Sequence, residues 1–221
     1  MADDFPAAET FFPDHRASRG GARKSLKAFR EAVQECRACP LYQDATQAVF
    51  GEGPRNAPLM LVGETPGNDE DEQGRPFVGG SGRLLDKLLE EAGLERDRLF
   101  VTNAVKHFKF DRRGKWRIHK TPNATEVQAC APWLEAEVEM VAPEMIVCLG
   151  ATAAKAVIGP QVRITKDRGK VFESRFAPWT LPTYHPSAAL RAPEQFRAKT
   201  REALLEDLRL AAEHLHELAV G

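Results

Sequence analysis

A carboxylate on a tight turn is the first candidate for chemistry in the sequence. The segment Gly63-Glu64-Thr65-Pro66-Gly67 directly follows an apolar run at 59–62. Its glycines and proline favour a compact turn, which would hold Glu64 at a fixed position. An acidic surface loop is the alternative interpretation, because the acidic stretch 69–72 follows at once.

A basic and aromatic run lies at 106–120. Cationic side chains bind phosphates and aromatic rings stack on bases, so the run predicts a nucleic-acid contact, with a solvated hairpin tip as the alternative. Within this run, cations flank His119 and disfavour the charged form of its imidazole. A neutral ring nitrogen could then act as a base or a nucleophile. A histidine without any chemical role is the alternative. The run contains Lys106, Lys109, Arg112, Arg113, Lys115, Arg117 and Lys120, one acid, Asp111, and the rings of Phe108, Phe110 and Trp116.

The cysteines form the third candidate site. The spacing Cys36-x-x-Cys39 in a chain of this length is more typical of a metal or redox site in a reducing compartment than of a disulfide framework. A tetrahedral site needs two more ligands, and Cys130 and Cys148 are available. Cys148 lies in an uninterrupted apolar run, where a cysteine usually packs as a small hydrophobic residue, and His107 competes for its place.

A fourth candidate is the segment 184–187, Tyr-His-Pro-Ser, which follows the last apolar run. Its proline and serine favour a rigid turn. His185 could donate a hydrogen bond into a pocket, while Leu190 and Arg191 project beside it as a wedge. A simple turn before the final helix is the alternative.

Charge and missing motifs argue against several protein classes. Lysine and arginine number 31 against 32 acidic residues, for a net charge of -1, so any basic surface must be local. The sequence has no G-x-x-x-x-G-K-[ST], G-x-G-x-x-G, H-E-x-x-H or G-x-S-x-G motif, which weakens kinase, ATPase, dehydrogenase and common hydrolase interpretations. No apolar run reaches the roughly 18 residues of a membrane helix, and the start has no signal-peptide pattern, so we expect a soluble, cytoplasmic protein.

The elements that must position these residues follow an alternating pattern. β-rich runs at 59–62, 99–105 and 145–149, and near Val171 and Leu181, alternate with helical patterns at 83–92, 126–141, 151–158 and after Pro193. This alternation predicts one α/β domain over 25–221 with a largely parallel central sheet. A flexible tail is expected over 1–24, with Phe5, Phe11 and Phe12 as its possible attachments to the body.

Three of the candidate segments should meet at one edge of that sheet. The turn 63–67, the pair Thr102-Asn103 and the segment 184–187 all fall at the carboxyl ends of predicted strands. Ligands of parallel sheets bind beyond the carboxyl ends of the strands. The sequence therefore predicts a polar site at this edge.

Several spaced motifs together resemble one known family. From residue 36 to the final helix, the sequence is similar to the uracil-DNA glycosylase superfamily, in its iron-sulfur branch and, within that branch, the UdgX type. The motifs that carry the resemblance are Cys36-x-x-Cys39-Pro40-Leu41, Gly63-Glu64-Thr65-Pro66-Gly67, Gly74-Arg75-Pro76-Phe77-Val78-Gly79, Thr102-Asn103-Ala104-Val105-Lys106, Arg117-Ile118-His119 and His185-Pro186-Ser187.

The resemblance implies a three-layer α/β/α fold with a short parallel sheet, a [4Fe-4S] cluster and a pocket for a uracil flipped out of single- or double-stranded DNA, in a monomer. The implied cluster ligands are Cys36, Cys39, His107 and Cys130, with Cys148 left as a core residue. Ordinary iron-sulfur glycosylases have a cysteine where His107 stands. In the UdgX type the histidine of the Arg-Ile-His loop, here His119, attacks the sugar and stays bonded to the DNA.

The other site residues take roles within this scheme. Asn103 would read the imino and 4-carbonyl edge of uracil, Phe77 would stack on the base, and His185 would donate to the 2-carbonyl. Glu64 would support the cationic sugar electrostatically, or hold the proton of the attacking nucleophile. Further expected substrate contacts are Thr65, Gly67, Asp71 and Arg191, and expected DNA contacts are Lys109, Lys115, Arg117, Lys120, Ser187 and Leu190.

Three positions depart from the UdgX pattern. Thr65 stands where that type typically has glutamine, Asn68 where it tends to have aspartate, and Trp116 where it has a basic residue. These changes bear on the speed of adduct formation more than on its occurrence. Two alternatives stay open: a conventional multiple-turnover glycosylase in which His119 only contacts phosphate, and a non-catalytic iron-sulfur or zinc module that binds nucleic acid.

Overall fold

Four parallel strands form the centre of the structure, a computed structural model that describes residues 5–12 and 25–220. The sheet order is β2-β1-β5-β6, while β3 and β4 pair as a separate antiparallel hairpin. From β1 the chain adds β2 on one side of the sheet and then β5 and β6 on the other, so the order of strands reverses between β1 and β5. The strands are β1 (Leu59–Gly63), β2 (Phe100–Asn103), β3 (Phe110–Arg113), β4 (Trp116–His119), β5 (Met145–Leu149) and β6 (Trp179–Thr183).

Helices cover both faces of this sheet. None of the helices in the described part of the chain has the length and apolarity needed to cross a membrane. They are α1 (Leu26–Ala32), α2 (Asn68–Gln73), α3 (Gly80–Glu91), α4 (Ala124–Val141), α5 (Ala151–Val157), α6 (Ile164–Asp167), α7 (Pro186–Arg191) and α8 (Glu194–Val220).

Strand residues alternate between two cores, which produces three layers. Leu59 and Leu61 of β1 pack with leucines of α3 and α8, such as Leu88 and Leu208. Met60 and Val62, between them in sequence, face the opposite way and pack with residues of α4 and α5. Because both faces are covered, the strands are apolar throughout instead of alternating with polar residues. The predicted α/β/α sandwich with a parallel sheet is confirmed.

Most predicted elements lie where the sequence patterns placed them, with two differences. The run 99–105 forms a strand only over Phe100–Asn103, because the chain turns after Asn103 to enter the site. The β-like segment near Val171 is not a strand of the sheet, since Phe172 makes an isolated bridge to Thr180 of β6.

Part of the predicted tail packs on the domain. A short 3-10 turn, Ala8–Phe11, precedes Phe12, whose ring centroid lies 5.1 Å from that of Phe29 and 4.7 Å from that of Trp133. Ala8 is also buried. This agrees with Phe11 and Phe12 as attachment points, because both pack against the same hydrophobic cluster. The remainder of the predicted tail, 1–4 and 13–24, lies outside the described residues.

A buried ion pair connects α4 to the end of β2. The Lys106 ammonium donates to Glu137 Oε2 at 2.7 Å, to Thr102 Oγ1 at 2.8 Å and to the Asn103 carbonyl oxygen at 2.7 Å. The other Glu137 oxygen accepts from the Gly51 amide at 2.8 Å. Both charged side chains are fully buried, at 0% exposure. The pair therefore fixes the backbone of Asn103, a candidate site residue, from behind.

Glu137→Gln should strongly destabilise the protein. The change leaves the Lys106 charge buried without a counter-charge, which costs about 3–5 kcal/mol of unfolding free energy in buried pairs. Glu135→Gln in the same helix is the matched control, because Glu135 pairs with Arg175 at the exposed surface and should lose less than about 1 kcal/mol. Urea unfolding of both variants measures the difference. Equal losses would show that the buried pair has no special role in stability.

Candidate active site

A cavity of about 660 Å³ opens at the carboxyl edge of the sheet. The turn after β1, the end of β2 and the segment after β6 all contribute to its wall, and the end of the hairpin β3–β4 completes it. These segments meet because the strands end at the same level in the sheet. Gly63 at the end of β1 pairs with Asn103 at the end of β2, and Leu149 at the end of β5 pairs with Thr183 at the end of β6. The residues that line the cavity include Glu64, Phe77, Asn103, His119, His185 and Arg191.

One wall of the cavity pairs an aromatic ring with an amide. Phe77 and Asn103 are only 6% and 3% exposed. A Cβ atom at Gly63 would lie 2.3 Å from Asn103 Oδ1 and 2.6 Å from Cζ of Phe77, so glycine is needed there. Phe77 itself adopts a φ of 56°, and its carbonyl oxygen would lie 1.8 Å from a Cβ at Gly82. The backbone is shaped to hold a flat ring face beside a hydrogen-bonding edge.

His185 is held neutral with a defined tautomer. Its Nδ1 accepts from the Ser187 backbone amide at 3.1 Å, and the Ser187 hydroxyl lies 2.8 Å away. An accepting Nδ1 places the proton of the neutral ring on Nε2. Burial, together with Arg191 and His119, lowers the His185 pKa to about 4. At neutral pH the ring is therefore an N–H donor, and it lies beside Phe77 with a centroid distance of 5.8 Å.

Glu64 and His119 lie next to each other in the wall of the cavity. His119 Nε2 lies 3.6 Å from Glu64 Oε1, and the other Glu64 oxygen accepts a hydrogen bond from the Thr152 hydroxyl. Burial lowers the His119 pKa, an effect that Glu64 opposes and Arg191 reinforces. The ring is thus neutral at pH 7 and keeps a lone pair, while the carboxylate can stabilise positive charge that develops next to it.

The hairpin β3–β4 reaches this position because Arg117 anchors it to α2. The Arg117 guanidinium donates to Asp71 Oδ2 at 2.6 Å, Asn68 Oδ1 at 2.7 Å and Glu72 Oε1 at 3.0 Å. It also lies over the rings of Phe108 and Phe110. His119 lies two residues further along the same strand and on the same side. The anchor therefore sets where His119 stands.

This geometry corrects two expected roles. Arg117 was expected to contact DNA, but its cation is used by α2. Asp71 was expected to contact substrate, but its buried carboxylate binds Arg117 and the Thr46 amide and does not line the cavity. The low His119 pKa also has a different main cause from the expected one. Burial comes first, and the cation that adds to it is Arg191 from a distant segment.

The other side chains expected to contact DNA differ in their ion pairing and in their exposure to solvent. Lys109 pairs with Glu126 at 2.8 Å and is mostly buried, while Lys120 pairs with Asp111 at 2.7 Å near the surface. Lys115 is exposed at the hairpin tip. Ser187 lines the cavity, and Leu190 projects beside it with 45% of its surface exposed. Lys115 and Leu190 are thus the best placed of the set to touch a strand outside the cavity.

The turn after β1 contributes its backbone and two of the expected substrate contacts. Thr65 and Gly67 both line the cavity. The Thr65 hydroxyl donates to the carbonyl oxygen of His107 at 2.8 Å, so threonine anchors the turn although it is shorter than glutamine. Asn68 accepts from Arg117 and donates to Glu72, which gives this departure a role in the anchor.

The cysteines separate into two environments. Cys36, Cys39 and Cys130 belong to one buried cluster, whereas Cys148 lies in β5 within another. Cys36 Sγ accepts from Trp133 Nε1 at 3.1 Å, and Cys130 Sγ accepts from the Lys106 amide at 3.2 Å. Burial raises the Cys130 pKa to about 12 and lowers the His107 pKa to about 4. Within residues 5–12 and 25–220, no three His, Cys, Asp or Glu side chains are arranged to hold a metal ion.

Thr152 is a site residue that the sequence did not reveal. It lies in the first turn of α5, immediately after β5, at the point where the order of strands reverses, and its hydroxyl fixes one oxygen of Glu64. The rule that ligands bind where strand order reverses would have pointed to this turn once the order was known. The order itself cannot be read from local patterns.

Comparisons with known proteins show the family to which the chain belongs. Residues 50–209 match the model of the family described as the uracil DNA glycosylase superfamily. A type-4 uracil-DNA glycosylase of Sulfurisphaera tokodaii is 38% identical over 204 residues, 89% of this chain and 86% of the relative. That of Thermotoga maritima is 40% identical, over 84% of this chain and 92% of the relative. A type-5 enzyme of Pyrobaculum aerophilum is 30% identical over 60% of this chain and 62% of the relative. The chain belongs to the uracil DNA glycosylase superfamily.

Proposed function

We propose that this protein cleaves the bond between uracil and deoxyribose in DNA and then captures the sugar through His119. The observation that carries the proposal is the 3.6 Å approach of His119 Nε2 to Glu64 Oε1 inside the cavity that also holds Asn103, Phe77 and His185. A neutral nucleophile and a carboxylate face the same space. The substrate would be DNA that contains uracil, acted on by a monomer in the cytoplasm.

Uracil recognition follows from the wall formed by Phe77 and Asn103. The base must leave its stack to enter the cavity, and a ring face such as that of Phe77 replaces the lost stacking. The Asn103 amide can accept from the imino N–H and donate to the 4-carbonyl. Cytosine has the donor and acceptor reversed at that edge, so its binding would leave buried polar groups unpaired.

Bond cleavage uses charges at both ends of the breaking bond. The electron pair of the glycosidic bond leaves with the base, and negative charge develops on its 2-carbonyl oxygen. Nε2–H of neutral His185 can donate to that oxygen. Positive charge develops on C1′ of the sugar, where the Glu64 carboxylate stabilises it.

Capture of the sugar then depends on His119. Its neutral ring supplies a lone pair that forms a bond to C1′, and the ring becomes a positively charged imidazolium beside Glu64. A side chain fixed in the wall of the cavity has a large effective concentration compared with a mobile water. The protein would be consumed in one event. In the conventional alternative, water attacks C1′ instead and the enzyme turns over.

A uracil-release assay tests the glycosylase part of the proposal. The protein is incubated with matched oligonucleotides that contain one uracil, thymine or cytosine, and free base is quantified. We expect base release from the uracil oligonucleotide alone. A protein that binds all three and releases no base would instead be a nucleic-acid-binding module without catalysis.

We further propose that Cys36, Cys39, His107 and Cys130 hold a [4Fe-4S] cluster. The thiols of Cys36, Cys39 and Cys130 are buried in the same part of the hydrophobic core, and two of them accept N–H hydrogen bonds, as the sulfurs of iron-sulfur centres do. The neutral His107 ring is in the form that binds metal. When bound, the cluster would join the loop at 36–39 to the segment after β2, through His107, and to α4, through Cys130. Glycosidic cleavage itself is not a redox reaction, so it needs no electron from the cluster.

Iron content distinguishes the proposed ligands from the core cysteine. Cys148→Ala should leave the iron per protein unchanged, because Cys148 packs in β5 away from the other thiols. His107→Ala should reduce the iron content or make the cluster labile. If the Cys148→Ala protein lost its iron while the His107→Ala protein kept it, the ligand assignment would be wrong.

A further inference from the structure

Alternation along the hairpin β3–β4 gives it two different faces. His119 and Arg117 lie on one side of β4, toward the cavity and α2, together with their partners Phe110 and Arg112 on β3. Trp116 and Ile118 therefore project from the opposite side, where they are 64% and 43% exposed. The strand that delivers His119 into the site thus displays an aromatic ring to solvent.

Two cationic side chains that form no ion pair among the described residues lie beside the exposed Trp116 ring. Arg113 is the cross-strand partner of Trp116, and Lys115 Nζ lies 5.2 Å from the centroid of the ring. In the part of the chain that the structure describes, neither Arg113 nor Lys115 forms an ion pair, whereas Arg117 and Lys120 do. An exposed ring next to cations that have no acidic partner complements a strand that offers bases and phosphates together.

We infer that Trp116 is a stacking platform for an unpaired base near the flipped uracil, and that it makes the protein favour single-stranded over duplex DNA. The inference rests on the proposed function and adds to it the form of the substrate. Trp116 lies three residues from His119, about 10 Å along the strand at a rise of roughly 3.3 Å per residue. At the rise of a stacked strand, about 3.4 Å per nucleotide, this distance corresponds to roughly three nucleotides from the reacting sugar, and a more extended single strand covers it in fewer.

Strand preference follows from which bases have a free face. A base in a single strand can place its face on Trp116 without losing another partner. A duplex base is stacked on both sides and paired, so it must first be unstacked at a substantial cost. Cations alone would hold both kinds of DNA, because phosphates are present in each. The Trp116 ring is therefore the feature that distinguishes single-stranded from duplex DNA.

Binding to uracil-free DNA tests the platform independently of catalysis. We would compare the dissociation constants of the parent, Trp116→Ala, Trp116→Phe and Trp179→Ala for a single-stranded oligonucleotide and its duplex at one fixed salt concentration. Trp179 is the matched control, because it is partly exposed at the opposite end of the sheet. Trp116→Ala should weaken single-strand binding by about 5- to 150-fold, the range of base-aromatic stacking, and duplex binding by less than about 3-fold. Trp116→Phe should keep most of the affinity.

The same proteins assayed for uracil release separate this inference from the proposed function. If the parent binds single strands through Trp116 but releases no uracil, the platform stands and the proposed function fails. If the parent releases uracil and Trp116→Ala binds and reacts like the parent on single strands, the platform is wrong and the function stands. An equal loss on single-stranded and duplex DNA would also overturn the strand preference.

Discussion

Replacing His119 with alanine should abolish the covalent adduct and leave the release of uracil. The Asn103, Phe77 and His185 side chains that recognise the base lie on other elements, so they keep their positions. Water can then enter the space that the imidazole occupied and attack C1′. We expect no band of slower mobility on a denaturing gel, but free uracil and abasic DNA, with more than one turnover per protein.

The matched variant is Glu64→Gln, which keeps the shape of the side chain and removes its charge. Support for the cationic sugar is then lost before any nucleophile acts, so both uracil release and adduct formation should slow together. His119→Ala separates the two activities and Glu64→Gln does not. An adduct that persists undiminished in the His119→Ala protein would show that another side chain forms the bond.

Asn103→Asp should reduce the rate on uracil by roughly 10²- to 10⁴-fold. The carboxylate cannot donate to the 4-carbonyl, so a buried mismatch replaces a hydrogen bond at the edge that distinguishes uracil from cytosine. Uracil release under single-turnover conditions measures the loss.

Asn123→Asp is the control for this substitution. Asn123 caps α4 by accepting from the Glu126 amide, aspartate caps helices equally well, and the residue lies outside the cavity lining. It should therefore react at close to the parent rate. If Asn103→Asp also processed uracil at the parent rate, Asn103 would not be the residue that reads the base.

Local sequence patterns carry enough information to predict the layers of this fold. The apolar runs of β1 and β5 are continuous because helices cover both faces of the sheet, and Gly93 follows the end of α3 as expected. The site could be located as well, since parallel strands bring their carboxyl ends, and hence Glu64, Asn103 and His185, to one edge.

The anchoring of the hairpin could not be predicted in the same way. Arg117 binds residues of α2 that lie more than 40 positions earlier, and such a pairing leaves no periodic signal in the sequence. From the basic run alone, Lys109, Lys115, Arg117 and Lys120 are all expected to contact DNA. Tertiary pairing instead uses Arg117 and Lys109 within the protein and leaves Arg112, Arg113 and Lys115 at the hairpin tip.

Peptide mapping of the reaction product tests the central claim most directly. The parent protein is incubated with a single-uracil oligonucleotide, denatured, and digested with nuclease and protease, and the peptides are sequenced by tandem mass spectrometry. We predict that the mass of a deoxyribose remnant is carried by His119 and by no other residue. Recovery of an unmodified peptide containing His119, together with free uracil and abasic DNA, would contradict covalent capture and support conventional turnover.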